Sequence, residues 1–324
     1  MKKFDVVVVG TATRDTYLIS KDFAAFNSDG EPVIVIPANT KIDLPDIATD
    51  IGGGAPNSAV TFARTGLKVA CMAKVGVDGS GQEISASLAK ERITSLLVQD
   101  KGHQTGLSLI LKGPNGEDTT FVHRGAGYEY RTKDFDLTKI STKWLYITSL
   151  GGDLTVLNRL VKWAEAHDVR VAVNPGPLEL SKPKRLLNIL SRVDVVILNR
   201  REATTLFGAE VIDGMLIVAR SEGLHTVVIT DSENGATILD GSYVYTAGLY
   251  KKVAVVDRSG AGYAYGSGLI ASIIQGKTMQ QAISFASANA TSVISYLGTR
   301  IGILSNTEVD IMKIDISVFD KGGE

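Results

Sequence analysis

From residue 140 onward the chain repeats one unit, a short run of wholly apolar residues followed by an amphipathic segment. The runs are WLYITSL (144–150), VRVAVN (169–174), VDVVILN (193–199), TVVIT (226–230) and KVAVV (252–256). Strands that are apolar throughout, rather than alternating, belong to parallel sheets covered on both faces. Between the runs, Leu157, Leu160, Val161 and Ala164 fall at helical spacing, as do Ile270, Ile273 and Ile274, and then Ala282, Ile283, Ala286 and Ala290. The pattern predicts an α/β fold with a doubly wound, mostly parallel sheet flanked by helices. One stretch departs from it: ATILDGSYVYTA reads as two strands joined by a turn at Asp240-Gly241, a strong hairpin signal.

Two earlier stretches also break the alternation. Residues 16–50 contain PVIVIP followed by polar, proline-containing sequence, and residues 105–124 read as a hairpin around Pro114-Asn115-Gly116. Both predict strands with one solvated face, so they are expected to project from the main sheet as a small β-sheet lid over its ligand edge. The chain is read as one unit over residues 1–324 carrying these two lid segments. An open lid edge also offers a route to a homodimer.

The charge balance narrows the partners. Lys plus Arg is 34 and Asp plus Glu is 35, a net charge of -1, which gives no general attraction for nucleic acid or an anionic membrane. An anionic ligand must therefore be held locally. The single cysteine, Cys71, rules out an internal disulfide or a cysteine-based metal cluster and reads as a core residue. The N-terminal MKKFDVVVVG has an apolar run of four valines interrupted upstream by Asp5. It predicts a buried first strand rather than a signal peptide, in a cytoplasmic protein.

Three glycine-rich stretches carry the chemistry. In DIGGGAPNSAVTFARTG (50–66), Gly53 allows close backbone approach, Pro56 suits a first helical turn, and Asn57 is placed to face a cleft; taken alone, such a turn is more often merely structural. In LNRREATTLFG (198–208), Asn199 ends a strand and Glu202 lies in the next first turn, at the strand edge where ligands collect. A plain role for Glu202, complementing the helix dipole, competes with a binding role. In VVDRSGAGYAYGSGLIA (255–271), a strand runs through Gly260, Ala261 and Gly262 into a helix, which makes an anion site of backbone N–H groups. It lacks the Gly-Lys-Ser/Thr ending of a Walker loop, and the single Gly10 after the first strand argues against a dinucleotide fingerprint.

In this order, the three stretches resemble the ribokinase-like carbohydrate kinases, the PfkB family. KVGVDGSG (74–81), VVITDSENGA (227–236) and SANATSV (287–293) extend the resemblance over nearly the whole chain. It implies an ATP-dependent sugar or nucleoside kinase with Mg²⁺. Asn199, Glu202, Thr230, Gly235 and Asn289 would bind the nucleotide, with Glu202 acting on Mg²⁺ indirectly. Asp15, Gly53 and Asn57 would meet the hydroxyls of the acceptor. The N–H groups of Gly260, Ala261 and Gly262 would hold the transferring phosphoryl charge, and Asp257 would border a monovalent-cation site such as one for K⁺.

The sequence departs from the family at its catalytic centre. The family pattern continues Gly-Ala-Gly-Asp, with the aspartate as base, whereas this chain has Tyr263. A phenol with a reference pKa of about 10 is protonated at neutral pH, so impaired phosphotransfer is expected. Three readings stand: a natural noncatalytic protein, an engineered scaffold repurposed for ligand binding, and an active kinase with another base. His123 and Arg124 could join Asp15 and Tyr263 beneath the lid, although His123 is more often a plain lid residue. Ser232 replaces a usual glycine, and Tyr296 is expected near the adenine side.

Overall fold

Val6, Val7, Val8 and Val9 have no solvent exposure at all, because their strand, Lys2–Val9, lies inside a ten-stranded sheet with neighbours on both edges and helices on both faces. The computed structural model describes residues 2–114, 118–248, 253–305 and 314–320. Lys2–Val9 pairs in parallel with Val69–Met72 on one side and with Ile140–Ile147 on the other. The parallel series continues through Arg170–Val173, Val195–Asn199 and Thr226–Thr230.

The pleat divides each strand between two cores. Val7 and Val9 pack with the helices Leu154–Ala166, Pro183–Leu190, Arg200–Phe207 and Ile212–Ser221. Val6 and Val8 pack with Gly54–Arg64, Ala261–Ile274 and Met279–Val293 on the opposite face. Residues of both parities are thus buried, which is why these strands read as continuous apolar runs.

The predicted hairpin is present as Ala236–Asp240 and Tyr243–Ala247, extending the sheet antiparallel from Thr226–Thr230. The strand expected over 252–256 is not formed: Lys252 lies outside the described residues, and residues 253–256 are irregular. That sheet position is taken by Ile316–Asp320, which pairs with Tyr243–Ala247. The Val256 and Asp257 N–H groups instead donate to the Ile294 carbonyl at the end of a helix.

The lid is a separate four-stranded sheet ordered Asp118–His123, Gly106–Lys112, Thr13–Ile19, Asp46–Gly52. The expected 105–124 hairpin supplies two of these strands; its Asn115-Gly116 turn lies outside the described residues. The first lid segment begins earlier than expected, at Thr13, and PVIVIP contributes only Pro32 and Val33 to the short strand Glu31–Val33, which pairs with Phe26–Ser28. No helix among the described residues is long and apolar enough to cross a membrane.

Candidate active site

The chain leaves the interior Lys2–Val9 strand toward Val69–Met72 on one side and returns on its other side as Ile140–Ile147. Ligands in open α/β sheets bind at such a reversal, beyond the strands' carboxyl ends. Here that point is marked by Gly10 and Thr148, packed so closely that a Cβ on Gly10 would stand 1.8 Å from Thr148 Oγ1. One cavity borders it through Thr11 and Ala12, a second lies at the ends of the Val195–Asn199 and Thr226–Thr230 strands, and the start of the Ala261–Ile274 helix lines both.

The larger cavity, about 690 Å³, is lined by Asn199, Thr230, Ser232, Gly235, Arg258, Ala261 and Gly262, with Ala290, Thr291 and Ile294 as one wall. The smaller, about 240 Å³, lies under the lid and is lined by Asp15, Gly53, Asn57, Arg124, Gly260 and Tyr263. A helix leaves its first N–H groups without intrahelical partners. Gly260, the N-cap, takes the left-handed conformation at φ 79°, and a Cβ there would meet the Thr299 side chain at 2.8 Å. One turn thus faces both cavities, a geometry suited to an anion shared between ligands on either side.

Asp15 sits on a lid strand opposite Asp50 and is 8% exposed. Burial pushes its carboxyl above the ordinary value, with hydrogen bonds from Ser108 and Thr13 and the Arg300 cation opposing and the Asp50 charge adding to the rise. Gly52 makes room for it: a Cβ there would lie 1.9 Å from Asp15 Oδ2. Asn57 Oδ1 accepts from Thr299 Oγ1 at 3.0 Å. Tyr263 is in the first turn after Gly260, and burial together with the carboxylates of Glu202, Glu179 and Asp15 pushes its hydroxyl up to about 12. At neutral pH it is a hydrogen-bond donor or acceptor, not an anion.

Other expected site residues are placed differently. Asn199 lines the larger cavity, but it and Glu202 are bound to each other: Asn199 Oδ1 accepts from the Glu202 N–H and Glu202 Oε2 accepts from the Asn199 N–H, both at 2.9 Å. This is a reciprocal capping box, so the helix-start role of Glu202 is real. Burial raises its carboxyl above the ordinary range. Asn289 does not reach the cavity. It is 0% exposed, with Nδ2 donating to the Ala264 carbonyl at 2.9 Å and Oδ1 accepting from the Leu304 N–H at 2.9 Å. It clasps helices, while the next residues, Ala290 and Thr291, form the wall. Arg124 lines the lid cavity with Thr120 and Val122; strand alternation turns His123 to the other face, where it is exposed. Tyr296 is 49% exposed and is not among the residues lining the larger cavity.

The donor set fits a nucleotide with Mg²⁺. The larger cavity offers helix N–H groups and the cations Arg201 and Arg258 to phosphates, while Arg200, also in its lining, is ion-paired with Asp231 at 2.8 Å. No cluster of three or more His, Cys, Asp or Glu that could hold a metal exists among the described residues. A magnesium ion carried mainly by phosphates and water, with Glu202 as an outer partner, suits that inventory. When bound, it would neutralise phosphate charge. The set does not fit a monovalent metal ion at Asp257. That carboxylate accepts from the Ser259 N–H at 3.0 Å, the Gly298 N–H at 3.1 Å and the Lys112 ammonium at 3.1 Å. Burial acts to raise its carboxyl, but these partners outweigh it and hold it below the ordinary range. Lys112, Thr299 and Gly298 were not legible as site residues, because each reaches the site from a distant segment.

The sequence profile of the pfkB family of carbohydrate kinases matches residues 3–306. A ribokinase of Haemophilus influenzae is 25% identical over 267 residues, covering 79% of this chain and 85% of its own. A cytidine kinase of Thermococcus kodakarensis is 25% identical over 299 residues, covering 91% and 97%. The ribokinase of Arabidopsis thaliana, solved with ribose and ATP, superposes with a TM-score of 0.75 at 17% identity over 94% of this chain and 97% of its own. With the doubly wound sheet, the β-lid and the helix-start turn between two cavities, this chain belongs to the pfkB family of carbohydrate kinases.

Proposed function

We propose that the chain binds Mg·ATP in the larger cavity and a sugar or nucleoside under the lid, on an ATP-dependent kinase framework in which Tyr263 holds back phosphotransfer. The observation that carries this reading is the position of Tyr263. Its ring lines the lid cavity beside Asp15 and Asn57 and next to the Gly260 turn, so it stands between an acceptor hydroxyl and the anion turn. Its hydroxyl, pushed up to about 12, is a poor proton acceptor at neutral pH. Phosphoryl transfer rests on positioning and charge stabilisation, and groups suited to both are at hand: the Gly260 turn, Arg201 and Arg258 in the larger cavity, and Asp15 and Asn57 under the lid. General-base assistance, worth roughly 10²–10⁴ in rate, is the part replaced.

The test pairs binding with turnover. Mg·ATP or Mg·ADP at saturating concentration should raise Tm, since a ligand at 100 Kd stabilises the native state by about 2.7 kcal/mol. Phosphorylated product from a panel of pentoses, hexoses and nucleosides should form slowly or not at all. No thermal shift at millimolar nucleotide would end the nucleotide reading, and rapid product formation would show that another group carries the proton.

A further inference from the structure

The Asp257 carboxylate has a 0% exposed side chain, and the nearest cation to it belongs to the lid. Lys112 is the last residue of the Gly106–Lys112 strand, lies 145 positions away in sequence and is 6% exposed. Its Nζ stands 3.1 Å from Asp257 Oδ1 and 3.6 Å from Asp118 Oδ2. We infer that Lys112 is the resident cation of this site: from the lid, its ammonium takes the place that a monovalent metal ion would hold at Asp257, and the protein has no need of potassium.

Charge and geometry both support this. A carboxylate removed from water needs a counter-charge and hydrogen-bond donors, and Asp257 has both within the chain. Of the roughly four acceptor positions on a carboxylate, three are taken, by Ser259 N–H, Gly298 N–H and Lys112 Nζ. A potassium ion approaching the same oxygen would meet an ammonium at contact distance in a poorly screened setting, where repulsion is strong. The site also lies where charge matters. Asp257 is three residues before Gly260, and its Oδ1 accepts from the Ser259 N–H, so the carboxylate braces the anion turn and, left bare, would repel a phosphoryl group. Because Lys112 is part of the lid, the ion pair ties lid position to the shape of that turn. This last point rests on the kinase reading; the cation replacement does not.

The experiment measures Tm of the full chain in KCl, NaCl and choline chloride at equal ionic strength. The unaltered protein should melt at the same temperature in all three, within roughly 1 °C. Lys112→Ala should melt lower in choline chloride and recover saturably with K⁺, by about 2 °C or more, while Lys112→Arg, which keeps the charge, should show no K⁺-specific response. A K⁺-specific rise in the unaltered protein would overturn the inference, and so would a Lys112→Ala protein that folds and is indifferent to K⁺. If Lys112→Ala fails to fold in every salt, adding Asp257→Asn should restore folding without K⁺ by removing the bare charge; a double variant no better than the single one also overturns it. Mg·ADP affinity in KCl and in choline chloride should agree for the unaltered chain. Absence of nucleotide binding in both salts would strike the kinase reading and leave the melting results standing.

Discussion

Tyr263 packs onto Gly54 so closely that a Cβ on that glycine would stand 2.9 Å from Tyr263 Cε1 and 2.6 Å from Thr148 Oγ1. The tyrosine is therefore seated at the reversal of the sheet, with Gly54 and Thr148 forming its floor. Replacing Tyr263 with aspartate supplies an ionised carboxylate and empties the volume of a ring. ATP-dependent phosphorylation of a suitable sugar or nucleoside should rise by at least about 10²-fold. Tyr263→Phe, which keeps the ring, should show no such gain. Product detection by mass spectrometry over the acceptor panel reads both, and equal turnover by the tyrosine and aspartate forms would refute this account.

Ser232 occupies the left-handed region at φ 45° in the lining of the larger cavity. That conformation costs a residue with a Cβ roughly 1–2 kcal/mol, partly offset by the greater chain entropy that glycine loses on folding. Ser232→Gly should stabilise the protein by about 0.5–1 kcal/mol and tighten nucleotide binding. Denaturant melts and nucleotide titration measure the two effects; a loss of stability would mean that the serine side chain holds the loop.

Gly52→Ala should weaken the fold and the acceptor side while sparing the nucleotide side. Its new Cβ would fall 1.9 Å from Asp15 Oδ2, and overpacking of this kind costs typically 1–3 kcal/mol. With the Asp15 carboxylate displaced, acceptor affinity in the Tyr263→Asp background should drop by roughly tenfold or more, the loss of one hydrogen bond to a charged group. The Mg·ATP thermal shift should persist. Calorimetry with each ligand separates these outcomes.

Lys74 is a second buried cation, joining Asp100 Oδ2 at 3.0 Å, Asp134 Oδ2 at 3.1 Å and the Glu129 carbonyl at 2.8 Å. Lys74→Met should destabilise the fold by about 1–3 kcal/mol, because it removes the buried counter-charge of two half-buried carboxylates that keep the Gly102 and Arg131 N–H groups as donors. The pH dependence carries a sign. The hydrogen bond from Lys74, aided by the Gly102 N–H, holds the Asp100 carboxyl well below its ordinary value of 3.8. A depressed folded pKa contributes stability that is complete above the ordinary value and is lost as pH falls through the folded one. Stability of the unaltered protein should decline as pH is lowered below about 4; in Lys74→Met this acid-side loss should shrink. Urea midpoints from pH 7 to pH 3 check it.

The amino-acid order by itself determined the architecture, because burial on both faces of a parallel sheet imposes a local pattern. Val6–Val9, Val195–Leu198 and Val227–Ile229 are apolar at every position since both parities meet a helical layer, and the Asp240-Gly241 turn announces its hairpin. It also marked the Gly260 turn and the odd tyrosine after it, since a helix start and its glycines are neighbours along the chain. Tertiary structure alone decided what depends on side-chain direction and on partners far away in sequence. SANATSV pointed to Asn289, yet packing between helices consumes its amide and leaves the wall to Ala290 and Thr291. KVAVV has the composition of a strand, but the edge it would join is filled by Ile316–Asp320. The pairing of Lys112 with Asp257 joins a lid strand to a core turn across 145 residues. No local pattern encodes that contact, because it exists only once the lid has folded over the sheet and a buried charge has selected its counter-ion.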